Sequence, residues 1–215
     1  MLNVFKFFVL VIVLCLWIQV FSLTYEVTNF SDNSLNSTNE CILGNNCSLR
    51  SAWSACKNSS NSCELCTIVL PSYVNIDFNR SFGPLYLSTG DNIEITGGTD
   101  SSIVASEHFM DEDFASFLYY LYDSTLDNNC STSLILSEVL ISNFGSESAS
   151  GGALYFRGEG NLHFNNVTFT NNQAKLGGAV YIRNNDDGAY INNCNFLNNT
   201  ADSLGGAIFI TTSQN

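Results

Sequence analysis

The sequence predicts an all-β solenoid, a chain wound into stacked coils of short parallel strands, and three observations carry that expectation. The first is a repeat: Gly151-Gly152-Ala153-Leu154-Tyr155-Phe156 returns as Gly177-Gly178-Ala179-Val180-Tyr181-Ile182 and again as Gly205-Gly206-Ala207-Ile208-Phe209-Ile210, at spacings of 26 and 28 residues. The second is a companion register. Leu134-x-Leu136-x-x-Val139-x-Ile141-x-Asn143 matches Leu162-x-Phe164-x-x-Val167-x-Phe169-x-Asn171 and Ala189-x-Ile191-x-x-Cys194-x-Phe196-x-Asn198, offset by 28 and 27 residues. The third is the alternation of apolar and polar residues at period 2 within each unit, where a helix would need 3.6. Composition agrees: 45% of the 215 residues are hydrophobic, and 28 Asn stand against only two Pro. Asn suits short strands joined by corners, because it tolerates left-handed backbone and hydrogen-bonds its own turn.

At the N-terminus, residues 1–22 read as a secretory signal peptide, with Lys6 as the positive region, a nearly continuous apolar run from Phe7 to Val20, and Ser22 at a plausible cleavage point. The alternative is an uncleaved membrane anchor, for which the run falls short of the roughly 20 residues a spanning helix needs. An exported chain sees an oxidising compartment. With Cys15 removed, Cys41, Cys47, Cys56, Cys63, Cys66, Cys130 and Cys194 remain. Cys194 takes the position of Val167 in the repeat and reads as a small buried hydrophobe, leaving the other six to pair in a manner spacing alone does not decide. Cys63-x-x-Cys66 has no second such pair and no nearby histidine, which argues against a metal or redox site.

Residues 23–66 are expected to form a cysteine-rich N-terminal cap. A solenoid exposes its core at the ends, and a short helix over 48–56 is the expected lid. Ser48 serves as N-cap, and Leu49, Ala52, Trp53 and Cys56 share one face. Residues 67–215 are expected to be the solenoid. One coil cannot bury its own inward side chains, but stacked coils can. Leu154, Val180 and Ile208 should pile up, as should Val167, Cys194 and Ile141, and Asn143, Asn171 and Asn198 should bond one another at a corner. Residues 105–133 break the rhythm and are expected to be an acidic side loop (Glu107, Asp111, Glu112, Asp113, Asp123, Asp127) around the aromatic run Phe114–Tyr122. Clustered carboxylates there suggest Ca²⁺, but the regular Asp-x-Asp-x-Asp-Gly spacing is absent. The sequence stops directly after a Gly-Gly-Ala strand, so an open last coil and self-association through it are expected.

The Gly-Gly-Ala-[Ile/Val/Leu] corner with Phe169-Thr170-Asn171-Asn172 and Phe196-Leu197-Asn198-Asn199 resembles the repeats of chlamydial-type polymorphic outer membrane proteins, within the wider pectin-lyase-like class. The resemblance implies a right-handed parallel β-helix. Cys47-Ser48-Leu49-Arg50-Ser51-Ala52 is similar to the Cys-[Ser/Thr]-Leu-Arg-Glu-Ala segment that opens many secreted β-helix proteins, with Ser51 in place of Glu.

For function, a formal charge of −13 from 7 basic and 20 acidic residues makes nucleic acid a poor partner. Many β-helix proteins of this class cleave acidic polysaccharides, but no catalytic set is evident. Asp186-Asp187 beside Arg183 sits in the turn-like Asn184-Asn185-Asp186-Asp187-Gly188, and His163 has no matching acid. No cofactor is implied. An exposed face remains: Tyr155, Tyr181 and Phe209 should point outward in a column, with Arg157 and Arg183 stacked beside them, as a surface for carbohydrate or a cell-surface protein. Eight sequons, at Asn29, Asn36, Asn46, Asn58, Asn79, Asn129, Asn166 and Asn198, are glycosylation candidates. The expectation is a secreted or cell-surface, non-catalytic, adhesin-like protein; the alternative is a polysaccharide lyase or hydrolase whose site is degenerate or truncated.

Overall fold

Alternation at period 2 sends every second side chain to one side of a strand, and a chain that repeats it three times per unit can close those sides into a prism. The computed structural model, which describes residues 23–32, 41, 46–59, 63–106, 116–123, 130–185 and 187–212, has that architecture. It is an all-β parallel β-helix. Sheet 1 stacks Leu23–Glu26, Cys66–Leu70, Asn92–Gly97, Ser133–Ser137, Asn161–Asn165 and Ala189–Asn192. Sheet 2 stacks Asn75–Phe78, Ser102–Ala105, Leu140–Ser142, Thr168–Thr170 and Asn195–Leu197. Sheet 3 stacks Leu85–Leu87, Leu118–Leu121, Leu154–Arg157, Val180–Arg183 and Ile208–Thr211. A short fourth pair, Gln173–Leu176 and Thr200–Leu204, fills the corner between sheets 2 and 3 in the last two described coils.

All the pairings are parallel, and their registers make continuous columns of inward side chains. Leu85, Leu118, Leu154, Val180 and Ile208 form one; Ile76, Ile103, Ile141, Phe169 and Phe196 form another. Ile141 therefore stacks on Phe169 and not on Val167. The residue aligned with Val167 and Cys194 is Val139, because Ile141 lies two positions further along the strand and belongs to the Phe column. Cys194 forms no disulfide, and it is half-buried, not enclosed, in the last described coil.

The Gly-Gly-Ala motif has two separate causes. Its first glycine holds a left-handed backbone, with φ of 68°, 60° and 68° at Gly151, Gly177 and Gly205. Its second lets adjacent coils approach: a Cβ on Gly152 would lie 2.2 Å from the Gly178 carbonyl oxygen, and one on Gly178 equally close to that of Gly206.

The asparagine corner differs from expectation by one residue. Asn143, Asn171 and Asn198 are left-handed, with φ of 65°, 53° and 52°, and supply the turn. The amide ladder belongs to the following position, where Asn172 and Asn199 point inward. In the preceding coil Phe144 occupies that site and donates its backbone N–H to Asn172 Oδ1 at 3.0 Å.

Helix α1, Leu49–Ser59, closes the N-terminal end, one turn longer at its C-terminus than its sequence pattern marks. Ser48 Oγ accepts the Ser51 N–H at 3.1 Å, as an N-cap should. Leu49, Ala52, Trp53, Ala55 and Cys56 are buried against the first coil. Disulfides join Cys41–Cys47, Cys56–Cys66 and Cys63–Cys130, the second tying α1 to the start of strand Cys66–Leu70.

The segment 105–133 is not wholly a side loop. Leu118–Leu121 is a regular strand of sheet 3 between Leu85–Leu87 and Leu154–Arg157, because Leu118 and Tyr120 fill the same inward columns as their neighbours. Glu107, Asp111, Glu112, Asp113 and Asp127 lie outside the described residues, as does the signal segment 1–22. No helix among the described residues is long and apolar enough to cross a membrane.

Candidate functional site

Two outward surfaces follow from this frame. On sheet 3 the side chains that alternate with the buried columns form an aromatic stack longer than the three residues expected. Tyr86, Tyr119, Tyr155, Tyr181 and Phe209 are successive members. Tyr86 meets Tyr119 edge-on at 5.7 Å, and the remaining ring centroids are 4.5, 5.1 and 5.6 Å apart and within 12° of parallel. The stack covers both ring faces of Tyr155 and Tyr181, and Tyr181 is only 5% exposed, whereas Tyr86 at the first end is 46% exposed. Tyr181 thus points away from the prism without being open to solvent, because Tyr155 and Phe209 cover both its faces. Tyr86 and Tyr119 are absent from the sequence-derived column because their strands lack the Gly-Gly-Ala marker.

Beside the aromatic row, on the same outer face, run Leu121, Arg157, Arg183 and Thr211 in register. Arg157 and Arg183 are both exposed, one strand spacing apart, and neither forms an ion pair with a described residue. Of the other described basic side chains, Arg50 is engaged with Asp32 and Lys57 with Tyr86 O, Ser88 and Asp91, whereas Lys175 lies exposed on the strand between sheets 2 and 3. Burial pushes the Tyr119 hydroxyl above its ordinary pKa, the Tyr155 and Tyr86 hydroxyls add to the shift, and Arg157 opposes it.

The second surface is the corner between sheets 1 and 2. Tyr73, Asp100, Glu138, Asn166 and Asn193 occupy the same register position in successive coils, and all are left-handed, with φ between 52° and 60°. A groove of about 550 Å³ opens there, lined among others by Asp100, Ser102, Glu138 and Asn166. The residue type changes at nearly every step, so no repeated letter marks this column in the sequence.

His163 stacks on Tyr190 at 4.8 Å, its register partner. Asp187 donates its N–H to Asn185 Oδ1 and Asn185 Nδ2 bonds Gly188 O, the hydrogen bonds of a turn; Asp186 lies outside the described residues. No group of three or more His, Cys, Asp or Glu among the described residues is placed to hold a metal ion. Of the sequons, Asn46, Asn58, Asn166 and Asn198 are exposed, whereas Asn29 and Asn79 are half-buried and accept the N–H of Ser31 and Ser81. Asn36 and Asn129 lie outside the described residues.

No curated protein and no solved structure matches this chain. Residues 166–183 and 193–211, the last two coils with their Asn-bearing corners and Gly-Gly-Ala strands, match the family model of the Chlamydia polymorphic membrane protein repeat.

Proposed function

We propose that this chain is a surface-displayed, non-catalytic recognition protein of adhesin type, held outside the cell or at an outer membrane, whose stacked coils present a rigid face to carbohydrate or to a cell-surface protein. Its similarity to Chlamydia polymorphic membrane protein repeats supports the surface placement. Export through residues 1–22 as a cleaved signal, and membership of the wider pectin-lyase-like class, belong to the same proposal.

The observation that carries the recognition reading is the Arg157–Arg183 pair. Like charges directly opposite one another across paired strands are destabilising. Here they are kept on a protein of net charge −13 that has carboxylates to spare, yet no described carboxylate is paired with either. A carboxylate or sulfate on a partner would relieve that repulsion through charge-assisted hydrogen bonds. The aromatic stack contributes stiffness to the face, and its inner rings, Tyr155 and Tyr181, offer only their edges for contact.

Binding of the purified chain to host-type cell surfaces and to an array of glycans and surface proteins tests the reading. Arg157→Ala with Arg183→Ala should lower that binding at least about tenfold while leaving the melting temperature unchanged or raised. Binding that survives the double substitution intact would remove the sheet 3 face from the proposal.

A further inference from the structure

The corner between sheets 1 and 2 changes length partway along the helix. Residues 71–74 and 98–101 make four-residue corners, whereas 138–139, 166–167 and 193–194 make two-residue corners. The longer corners step outward past the shorter ones. The groove of about 550 Å³ lies over this step, with Asp100 and Ser102 on the projecting side and Glu138, Leu140, Asn166 and Thr168 on the recessed side. Asp100, Glu138 and Asn166 are exposed, and the carboxylates of Asp100 and Glu138 have no partner among the described residues. Tyr73 stands one coil before Asp100 and donates its backbone N–H to the carbonyl of Thr99, another residue of the groove wall, at 2.7 Å. Tyr73 is 77% exposed, the most open large hydrophobic residue described.

We propose that this corner is a binding site for a neutral sugar, one or two pyranose units of a glycan laid along the helix axis. The inference rests on the recognition reading above but assigns the sugar to a different face. Three features select the ligand. Carboxylates without internal partners accept hydrogen bonds from neighbouring hydroxyl groups, and the amide of Asn166 with the hydroxyls of Ser102 and Thr168 can both donate and accept. An exposed aromatic ring offers an apolar face against which the C–H side of a pyranose can stack, which Tyr155 and Tyr181 of sheet 3 cannot do because both faces of each are occupied. The two carboxylates on adjacent coils repel a uronate or a sulfated sugar, so the ligand carries no negative charge.

The probe is a panel of neutral oligosaccharides of glucose, galactose, mannose and N-acetylglucosamine, with sulfated and uronate-bearing oligosaccharides alongside, titrated into the whole chain by calorimetry and ligand-observed NMR. At least one neutral oligosaccharide should bind, and the charged ones should not compete for its site. Tyr73→Asn is the discriminating variant: Asn is at ease in the left-handed backbone at this position, so the fold is retained while the ring is lost. It should weaken binding at least about tenfold, Glu138→Gln should weaken it several-fold, and the Arg157→Ala, Arg183→Ala double variant should leave it unchanged. Failure of every neutral oligosaccharide to bind, or undiminished binding by Tyr73→Asn, would overturn the assignment. Should the arginine variant alone abolish binding, the sheet 3 reading would stand and this site would fall.

Discussion

Asn172 donates its side-chain Nδ2 to Oδ1 of Asn199 one coil further on, at 3.0 Å, and the same oxygen accepts the backbone N–H of Asn172 at 3.0 Å. Asn172 is fully buried. Its second Nδ2 hydrogen reaches the carbonyl of Ile141 and its own Oδ1 takes the N–H of Phe144, so every polar atom of the amide is used. Its neighbour Asn171 is exposed and left-handed. The two should therefore respond differently to substitution. Asn172→Ala strips the Phe144 N–H of its acceptor and the Ile141 carbonyl and Asn199 Oδ1 of a donor, and should cost about 2–4 kcal/mol in denaturant unfolding. Asn171→Gly should be neutral to within about 0.5 kcal/mol, since glycine adopts positive φ freely, whereas Asn171→Ala should cost about 1 kcal/mol.

Two tyrosines of the outward stack and the inward Tyr120 predict an alkaline limit to stability. Tyr86, Tyr119 and Tyr120 all have hydroxyl pKa values raised above 10.0, in each case chiefly by burial. The folded chain thus holds these phenolic protons more tightly than the unfolded chain does. That contribution to stability is complete below the ordinary tyrosine pKa and is lost as pH rises through the raised values. Phenolate absorbance should show a fraction of the tyrosines ionising late, with unfolding close behind. Tyr119→Phe should make the fall in stability with pH shallower; an unchanged slope would show that the stack does not govern it.

Cys63 and Cys130 close a loop with a sequence separation of 67, and Cys63 is exposed. Replacing both by Ala should sacrifice little native packing, so the effect falls on the unfolded chain. Loop-closure entropy for that separation corresponds to about 4 kcal/mol. Equilibrium unfolding of Cys63→Ala, Cys130→Ala should show a loss of that order; a loss below about 1 kcal/mol would mean the unfolded ensemble stays compact in this region.

The architecture was legible because the constraint that creates a coil also repeats a letter. Only glycine fits where the Gly152 position meets the next coil's carbonyl, so Gly-Gly-Ala recurs and reveals the period. Where the constraint admits several residue types, the pattern fades. The inward column of sheet 3 accepts Leu118 and Tyr120 as readily as Val180 and Ile182, and without a glycine marker that strand merged into the surrounding acidic stretch. The Asn-Asn pair misled by one position because both residues recur for different reasons, one for backbone φ and one for its amide. The Arg157–Arg183 row was readable from strand alternation alone. The corner groove was not, since it arises from a difference in corner length between coils, and the left-handed positions along it hold Tyr, Asp, Glu and Asn.

Arg50 is the most connected residue of the lid. Its Nε and Nη2 grip Asp32 Oδ1 and Oδ2 at 2.9 and 2.8 Å, Nη2 also donates to the carbonyl of Gly83 at 3.0 Å, and the guanidinium lies 4.7 Å from the centre of the Phe78 ring. Asp32, whose side chain is fully buried, also accepts the N–H of Asn79 at 3.0 Å. The pair thereby joins α1, the N-terminal segment and the turn after Phe78, three pieces distant in sequence. Arg50→Ala abandons a buried carboxylate and should cost about 3–5 kcal/mol. Arg50→Lys keeps the charge but not the two-pronged geometry, so it should recover less than half of that loss. The decisive comparison is the double variant with Asp32→Ala, which removes the stranded charge together with its partner. It should be less destabilised than the sum of the two single variants by at least about 1 kcal/mol. Strict additivity would show that Arg50 acts through its stacking on Phe78 and its carbonyl contacts, with the ion pair incidental to closure of the helix end.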